Sequence, residues 1–507
     1  MKILLDGSSL TLEHLLAIAD GHAEVRLAHD AAQRIDEARR VVESKAAGDA
    51  AVYGINTGFG ALAETAIPRE ALGALQLNLL RSHAAGVGEL LPVRAVRATM
   101  ALRANVLAKG FSGIRRSTLE RLLDLLNRRV HPRVPSRGSV GASGDLAPLA
   151  HLALVLVGEG EATVGDDDAV RTGRDALTGA GIEPVVLEAK EGLALINGTQ
   201  PSTAVAALAV AGAERLARAA DIGASLSLDA LRGSVRPFDA RIHEARPFPG
   251  QLHSAANIRQ LLADSEINRS HEHCGRVQDA YSLRCAAQVH GAAREALTFA
   301  RNVLTIEANG ATDNPMVFAG DDEIVSGGNF HGAPVALAAD VVVLALAQLA
   351  TISERRSDRL VNPALSDLPA FLTPNSGVQS GYMMAQVTAA ALVSEIKTLS
   401  HPASVDTIPT SANREDHVSM SMGAALKAES ALALATRVTA VEILCACQAI
   451  DLLAPLQTSD PLRRVHQHVR KFVPPLADDR PPAPDIERIS KLITDGSLEN
   501  ASALEVK

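Results

Sequence analysis

Tryptophan is absent from the 507 residues, and tyrosine occurs only three times. Aromatic residues make up 2% of the chain, whereas alanine and leucine are abundant, a bias that favours helices. The four cysteines, Cys274, Cys285, Cys445 and Cys447, are too few and too unevenly spaced for a disulfide framework. We therefore expect buried thiols in a protein of the reducing cytoplasm.

Residues of like charge are not clustered in the sequence. No block of five like charges occurs, and 49 basic residues stand against 58 acidic ones, for a formal net charge of -9. A protein that binds nucleic acid usually carries a basic patch or tail, so no nucleic-acid partner is expected.

Targeting and membrane segments are not expected either. The N-terminus has an early aspartate and no small-residue cleavage site, which is not the pattern of a signal peptide. The best membrane candidate, residues 333–352, is interrupted by Asp340 and Gln348 and is followed at once by charged residues. We predict that it is a buried core helix.

Several long segments repeat apolar residues with helical periodicity, and each is apolar around most of its circumference. Helices of that kind must pack against other helices, so we predict an all-α, mainly helical protein. These segments are 202–220, 286–308, 334–360, 384–400 and 421–454.

Strand signals are few. Residues 182–189 and 316–325 could form short β pieces. The proline-rich stretch 473–485 predicts a connector that leads into a last helix from about Asp485.

Glycine-rich connectors between the predicted helices carry the unusual polar residues. Chemistry usually resides in such loops on a rigid scaffold. They are AVYGINTGFG (51–60), RSHAAGVG (81–88), GSVGASGD (138–145), INGTQ (196–200), VQDAYSLRC (277–285) and VSGGNFHG (325–332).

Ser143, between Ala142 and Gly144, lies in the connector richest in small residues. A hydrolase nucleophile elbow needs glycine at both outer positions of G-x-S-x-G, but Asp145 takes the second. A phosphate-binding loop would place a lysine or arginine after its glycines, and again Asp145 follows. As a purely structural element, the loop would end in Asp145 as the N-cap of a helix over 146–157.

A chemical alternative explains why three small residues adjoin. In a sharply bent chain the amide nitrogen of Gly144 can reach the carbonyl carbon of Ala142, since glycine has no Cβ. Loss of water closes a five-membered ring, and loss of the Ser143 hydroxyl leaves an exocyclic methylidene. The product is 4-methylidene-imidazol-5-one (MIO), an electrophile that no unmodified side chain supplies.

The segment Ala142-Ser143-Gly144 resembles the prosthetic-group signature of the aromatic amino acid ammonia-lyases and aminomutases. Many other stretches resemble that family, in its own order, from about Tyr53 to Met420. They are YGINTGFG, SHAAGVG, FSGIRR, GSVGASGDLAPLAH, EGLALINGTQ, RIHEARP, VQDAYSLRC, DNP, GGNFHG, SERR, TAAALVSE, LSHPASVD and TSANREDHVSM. The resemblance implies a carbon–nitrogen lyase whose MIO forms autocatalytically, with no external cofactor.

The resemblance also assigns roles to two tyrosines and a phenylalanine. It implies that Tyr53 removes the β proton of the substrate and that Tyr281 lines the site beside the prosthetic group. A phenol titrates near pH 10, so a catalytic base of this type needs a site that lowers its pKa. Phe330, in GGNFHG, would pack against the ring system, whereas Tyr382 matches no catalytic position.

Arg284 follows Tyr281 by three residues and Gln278 by six, a spacing that a helical turn would bring to one side. A surface arginine is the common alternative, yet a guanidinium fork suits a substrate carboxylate. The resemblance implies that role for Arg284, with Asn197 and Gln278 as polar contacts to the substrate or the ring.

Two positions indicate the substrate. The pair Ser82-His83 resembles the histidine-specific members of the family, in which imidazole recognition is implied. Glu415, in SANREDHVSM, also resembles the histidine type. Its carboxylate could pair with an imidazole, whereas a phenyl ring has no polar group to pair with it. The resemblance thus implies deamination of L-histidine to trans-urocanate and ammonia, the first step of histidine degradation.

Alternatives remain open at this point. Arg414, Ile396, Ala287 and Ala333 depart from the family pattern. The same MIO chemistry would serve a tyrosine or phenylalanine ammonia-lyase or an aminomutase. A non-catalytic helical assembly protein could keep the loop sequence without the reaction.

The histidines do not suggest a metal site. The run 271–274, His-Glu-His-Cys, resembles a ligand cluster, but H-x-H is not the i, i+4 pair of H-E-x-x-H. A hydrated loop is expected there.

The resemblance implies two domains and an oligomer. Residues 1–200 would form an N-terminal domain that carries the MIO loop, and residues 201–507 a C-terminal bundle of long helices, as in fumarase and aspartase. The implied assembly is a homotetramer whose active sites combine loops from more than one subunit. Sparsely charged helices are consistent with burial between subunits.

Overall fold

The computed structural model describes residues 1–48, 50–58, 65–271, 275 and 277–507. Helices dominate these residues. The shorter ones in the first part of the chain are α1 Leu12–Ala19, α2 His29–Ala47, α3 Leu72–His83, α4 Val93–Ala108, α5 Arg116–Asn127, α6 Leu146–Leu156, α7 Gly173–Gly179 and α8 Glu191–Ile196.

The longest helices follow from residue 200 onward. In chain order the remaining helices are α9 Gln200–Ala230, α10 Ala240–Glu244, α11 Pro249–Leu261, α12 Glu266–Arg269, α13 Tyr281–Arg284, α14 Ala286–Ala308, α15 Ala333–Val361, α16 Met383–Leu399, α17 Ser421–Leu452, α18 Asp460–Arg470, α19 Ala483–Thr494 and α20 Ser497–Ala501. The five predicted long helices and the last helix are confirmed, and so is the all-α class.

Short strands form four small sheets among the described residues. The strands are β1 Lys2–Leu5, β2 Glu24–Leu27, β3 Val87–Leu90, β4 Val130–Pro132, β5 Pro135–Arg137, β6 Glu161–Val164, β7 Asp167–Thr172, β8 Met316–Phe318 and β9 Glu323–Val325. Strands β1 and β2 pair in parallel, whereas β3–β5, β4–β6–β7 and β8–β9 are antiparallel. The prediction of β structure within 316–325 is confirmed by the hairpin β8–β9.

The other predicted strand, over 182–189, was wrong. The segment is irregular, and Val186 is exposed. Its backbone makes single hydrogen bonds: the Val185 N–H donates to the Leu156 carbonyl at 2.8 Å, and the Arg115 guanidinium donates to the Val186 carbonyl at 2.5 Å. Pro184, which has no N–H to donate, interrupts the run, and these single bonds do not make a strand ladder.

The chain forms two compact units. The first comprises Met1–Leu208, Arg301–Asp340 and Pro402–Leu426, and the second comprises Ala209–Ala300, Val341–His401 and Lys427–Lys507. The units are built from interleaved segments because the chain leaves the first unit and returns to it twice. This grouping differs from the predicted division between residues 200 and 201, which stays a prediction.

In the first unit, α4 is the central helix. Every residue from 95 to 108 is buried, so α4 is enclosed on all sides, with α1, α2 and α5 packed against it. The helices α3, α6 and α8 pack against one another. Their packing positions the chain just before α6 and just after α8, where the serine loop and Asn197 lie.

The second unit holds a buried network of charges between its helices. Asp221 accepts hydrogen bonds from Arg294 at 2.6 Å and pairs with His290 at 2.7 Å. Arg356 forms an ion pair with Glu442 at 2.5 Å, and both side chains are fully buried. Buried charges of this kind must be paired, and these are.

Helices α15 and α17 are long and apolar enough to cross a membrane by length and composition. However, 67% of the apolar window in α15 and 72% of that in α17 are buried inside the chain. This burial agrees with the prediction of a core helix at 333–352.

Three cysteines lie within the described residues. Cys445 and Cys447 are buried on α17, where burial raises the pKa of both thiols, and Cys285 is half-buried. Cys274 was predicted to be a buried thiol, but it lies outside the described residues, as do Glu272 and His273 of the run 271–274. Within the described part of the chain, no group of His, Cys, Asp and Glu side chains could hold a metal ion.

Candidate active site

The serine loop, residues 139–145, is held on one side by the segments 332 and 419–421. The Gly141 carbonyl accepts hydrogen bonds from the Ser419 hydroxyl at 2.8 Å and from the Gly332 N–H at 3.2 Å. The Met420 N–H donates to the carbonyl of Val140 at 2.8 Å. Three regions that are far apart in the sequence thus meet at the first half of the loop.

On the other side, the loop lies against Gly198. The Asp145 N–H donates to the Gly198 carbonyl at 2.8 Å, and the Asn197 side-chain amide donates to the Ser143 carbonyl at 3.2 Å. Gly144 has φ +72°, and a Cβ there would lie 2.3 Å from the Gly198 carbonyl oxygen. Only glycine fits a position that combines this backbone conformation with this approach.

Asp145 is the N-cap residue of α6, as predicted. Its carboxylate makes no cap hydrogen bond to α6. It accepts instead from the Ser139 hydroxyl at 2.6 Å and from the Ser202 N–H, in the first turn of α9, at 2.8 Å. The side chain therefore satisfies a free N–H of a different helix. Burial raises the pKa of this carboxyl.

The Ser143 hydroxyl donates a hydrogen bond of 2.6 Å to Oε1 of Glu415. The other oxygen of Glu415, Oε2, accepts from the Thr410 hydroxyl at 2.5 Å. Burial opposes ionisation of Glu415, but the hydrogen bonds from Ser143 and Thr410 outweigh it and hold the pKa below its usual value, with the nearby His83 adding to the effect. An ionised carboxylate thus lies directly beside the serine of the loop.

His83 ends α3, and its ring is oriented by its own helix. Nδ1 lies 2.9 Å from the Leu79 carbonyl oxygen and 3.0 Å from the Ser82 hydroxyl. Because a carbonyl oxygen can only accept, Nδ1 is the nitrogen that donates to Leu79. The electrostatic effect of His83 on Glu415 places two of the predicted substrate-binding groups near one another.

Asn197 follows α8 and is buried. Its amide nitrogen is used by the Ser143 carbonyl, whereas Oδ1 is buried without a hydrogen-bond partner among the described residues. An unpartnered buried oxygen is costly, so the Asn197 side chain is suited to accept a hydrogen bond from a bound molecule.

Tyr53 and Phe330 also lie in the first unit, and both are half-buried. Tyr53 begins a turn over residues 53–56. The segment that contains Phe330 joins the loop through the Gly332 N–H. Phe59 and Gly60, at the end of the YGINTGFG motif, lie outside the described residues.

Gln278, Tyr281 and Arg284 lie in the second unit. The predicted helical turn is present as α13 for Tyr281 and Arg284, whereas Gln278 lies in the irregular segment before it. The Arg284 guanidinium carbon lies 4.5 Å from the centre of the Tyr281 ring. The Nε of Arg284 is buried and has no hydrogen-bond partner within the described chain, while Tyr281 is 70% exposed. The Arg356 guanidinium donates to the Ser282 carbonyl at 3.3 Å, which ties this turn to the buried charge network.

Gln278 lines a cavity of about 620 Å³ within the second unit. The cavity lies between the turn before α13 and the segment that ends and follows α15, with two carboxylates, a guanidinium and apolar side chains at its wall. The residues that line it are Leu231, Gln278, Asp279, Ala280, Leu283, Arg359, Pro363, Ala364, Leu365, Ser366 and Asp367.

Sequence reasoning did not single out Ser139, Thr410, Ser419 or Gly198, although each contacts the loop or Glu415. All four lie inside the motifs quoted above, and those motifs mark the regions of the site. The sequence does not show which atoms each residue contacts.

A profile of the aromatic amino acid lyase family matches residues 10–471. The chain is 56% identical over 504 residues to a histidine ammonia-lyase of Anaeromyxobacter dehalogenans (strain 2CP-C), covering 98% of this chain and 99% of that protein. Both the profile match and the relative extend over nearly the whole chain.

Solved structures with the same fold include more than one activity. A crystal structure of histidine ammonia-lyase from Trypanosoma cruzi is 45% identical with a TM-score of 0.92, covering 99% of this chain and 95% of that one. The tyrosine aminomutase of Streptomyces globisporus is 38% identical with a TM-score of 0.94, and both chains are covered completely. The fold is therefore shared by ammonia-lyases and aminomutases, and side chains must distinguish them.

Proposed function

Because this chain belongs to the aromatic amino acid lyase family and is an enzyme of the carbon–nitrogen lyase class, we propose that it removes ammonia from L-histidine to give trans-urocanate. The observation that carries this choice is the ionised Glu415 carboxylate, 2.6 Å from the Ser143 hydroxyl and near His83. A carboxylate and an imidazole beside the reacting loop favour a polar, hydrogen-bonding ring over a phenyl ring.

The loop fits the MIO group. Ala142 is buried, Gly144 has the positive φ and the close packing that only glycine tolerates, and Asn197 holds the carbonyl of Ser143. Ala142, Ser143 and Gly144 would therefore carry the group, which supplies an electrophilic methylidene carbon that makes the amino group of the substrate a better leaving group.

Glu415 acquires a free acceptor when the loop matures. Its Oε1 accepts from the Ser143 hydroxyl, and formation of MIO removes that hydroxyl. The carboxylate then lacks the hydroxyl donor of Ser143, and the N–H of a substrate imidazole can replace it. His83, whose ring is oriented by Leu79, would be the second polar contact to the imidazole.

Arg284 would bind the substrate carboxylate, since its guanidinium lies over Tyr281 and its Nε has no partner among the described residues. Asn197 and Gln278 would add polar contacts. Tyr53 would remove the β proton as the general base, and Tyr281 and Phe330 would line the site beside the ring.

We further propose a cytoplasmic homotetramer that carries out the first step of histidine degradation. Active sites that combine loops from several copies would make the assembly necessary for activity. No external cofactor, metal or nucleic acid is part of the proposal.

A substrate panel tests the choice of histidine. The purified enzyme is incubated separately with L-histidine, L-tyrosine and L-phenylalanine, and urocanate, coumarate, cinnamate and β-amino acids are measured. We expect urocanate from histidine alone. Coumarate or cinnamate would indicate a tyrosine or phenylalanine ammonia-lyase, a β-amino acid an aminomutase, and no product at all a non-catalytic protein.

Ser143→Ala tests the prosthetic group. The peptide that spans residues 139–145 should be lighter than its sequence mass by two water molecules in the wild type and should keep its full sequence mass in the variant. Turnover should be abolished, while the helical far-ultraviolet signal stays unchanged. An unmodified wild-type peptide, or a variant with near-normal turnover, would overturn the MIO assignment.

A further inference from the structure

Arg103 lies at the centre of the first unit on α4 and is completely buried. Its guanidinium donates to the carbonyls of Asn197 and Ala194, both at 2.6 Å, and to the side-chain oxygen of Gln200 at 2.7 Å. Burial lowers the pKa of Arg103 to about 10, so the group is still charged at neutral pH. Such charge-assisted bonds are the stronger kind.

Among the residues that the structure describes, the buried counter-ion of Arg103 is Asp313, which Lys190 shares. The Asp313 carboxylate lies 3.8 Å from the Arg103 guanidinium and 3.6 Å from the Lys190 ammonium, and all three side chains are almost completely buried. A buried charge persists only when it is paired, so this cluster keeps Arg103 in place at the end of α8. Carbonyls at a helix C-terminus are free acceptors, and a cation there is also favoured by the helix dipole.

Gly198 lies between Arg103 and the serine loop. A Cβ at Gly198 would lie 2.5 Å from Nη1 of Arg103, and a Cβ at Gly144 would lie 2.3 Å from the Gly198 carbonyl oxygen. Arg103, Gly198 and Gly144 therefore follow one another in direct contact. Because Arg103 binds the residues on both sides of Gly198, the segment 197–200 cannot retreat from the loop without breaking those bonds.

We infer that Arg103 is a positioning residue for MIO formation, which holds Asn197 and Gly198 as a rigid surface against which Gly144 is kept close to the carbonyl of Ala142. The inference rests on the proposed MIO group. It concerns the formation of the group, and it makes no claim about the activity of the site once the group is present.

The reaction that this surface would favour uses only atoms of Ala142, Ser143 and Gly144. The nitrogen of Gly144 forms a bond to the carbonyl carbon of Ala142, and the Ala142 oxygen leaves as water with the amide hydrogens of Gly144 and Ser143. The Ser143 hydroxyl then leaves as a second water with the α hydrogen of Ser143, which creates the methylidene double bond. No oxidant or co-reactant is required, and holding the reacting atoms together is what the protein contributes.

Arg103→Met tests the inference, with the mass of the 139–145 peptide followed over time after synthesis. We expect loss of the two waters to be about tenfold slower or worse, since several bonds to a charged donor are lost. Arg97→Met is the matched control. Arg97 is a second buried arginine of α4, but it binds the carbonyls of Ile18 and Leu126 at 3.0 Å and so does not contact residues 197–200.

Comparison of the two variants separates positioning from general stability. Arg97→Met should lose thermal stability to a similar degree, yet its peptide should lose both waters as fast as in the wild type. A folded Arg103→Met protein that matures at the wild-type rate would refute the inference, as would equal slowing in the Arg97 control.

Gln200→Ala is the second variant, in case Arg103→Met does not fold. It removes one of the acceptors of Arg103 while the arginine and its counter-ion remain, and maturation should again be slower than in the wild type. Wild-type maturation in this folded variant would count against the inference. If the wild-type peptide itself kept both waters, the proposed MIO group would fail first, and the two failures are thereby distinguished.

Discussion

At the residue scale, two glycines determine the path of the chain on either side of Ala142 and Ser143. Gly141 and Gly144 have φ values of +64° and +72°, and a Cβ on either would lie less than 2.5 Å from another residue. Each glycine is thus needed both for its backbone conformation and for the space it leaves. The two requirements can be separated by comparison with a glycine elsewhere in the chain that has a positive φ but open space around it.

Gly144→Ala should prevent maturation. The added Cβ would displace Gly198, and the measured result should be a 139–145 peptide of full sequence mass together with loss of activity. Gly165→Ala is the control, because Gly165 has a similar φ of +68° with no atom within 4 Å of an added Cβ. That variant should lose about 1 kcal/mol of stability and keep its activity. A mature, active Gly144→Ala enzyme would contradict the argument.

At the element scale, side chains join helices that are not adjacent in sequence. The Asp145 carboxylate, at the start of α6, binds the first turn of α9, and Arg103 of α4 binds the end of α8. These contacts bring the end of one helix and the start of another to the serine loop. The rigidity of the loop thus comes from helix ends, where backbone groups need partners.

Strand β4 carries a histidine that is kept neutral. Burial, together with the guanidinium groups of Arg97 and Arg129, lowers the pKa of His131 to about 4. The unfolded chain binds a proton near pH 6.5 and the folded chain does not, so the stability that this histidine confers falls as the pH drops from about 6.5 toward 4.

His131→Gln should reduce this pH dependence. The free energy of unfolding, measured from pH 7 to pH 5, should fall less steeply for the variant than for the wild type, with a difference in slope of up to about 1.4 kcal/mol per pH unit. His29→Gln, at an exposed position, should follow the wild type. Parallel curves for the wild type and His131→Gln would show that folding does not lower the pKa of His131.

At the scale of the whole molecule, apolar side chains remain exposed on the long helices of the second unit. Leu344 on α15 is 48% exposed and Val387 on α16 is 46% exposed. Helices with so many apolar positions on their outer faces are typical of surfaces that are covered by another copy of the chain. This supports the proposed homotetramer.

The double variant Leu344→Asp with Val387→Asp should dissociate the assembly. The wild type should have about four times the chain mass of 53.0 kDa in solution, whereas the variant should have a smaller mass and lower activity. Val170→Asp, at a position that is 49% exposed on β7, is the control and should leave the mass unchanged. A variant that kept the full mass would show that this face is not an interface.

Much of the fold could be predicted from the sequence, because helical periodicity is a local signal. Four of the five predicted long helices begin and end within two residues of their predicted bounds, whereas α9 continues ten residues beyond the predicted end at 220. The segment 182–189 shows the limit, since its apolar residues favour a strand but no neighbouring strand is placed beside them. The composition of the two compact units likewise depends on which distant segments of the chain pack together, and helical periodicity does not give that.

The sequence by itself determined the family and the enzyme class, and it is the source of the proposal that Ala142-Ser143-Gly144 forms the prosthetic group, because short motifs in a characteristic order carry this information. Only the tertiary structure decided which groups surround that tripeptide. Ser143 and Glu415 are separated by 272 positions in the chain, and Asp145 serves a helix other than its own. Contacts of that range depend on how the helices pack, and packing depends on all the side chains together.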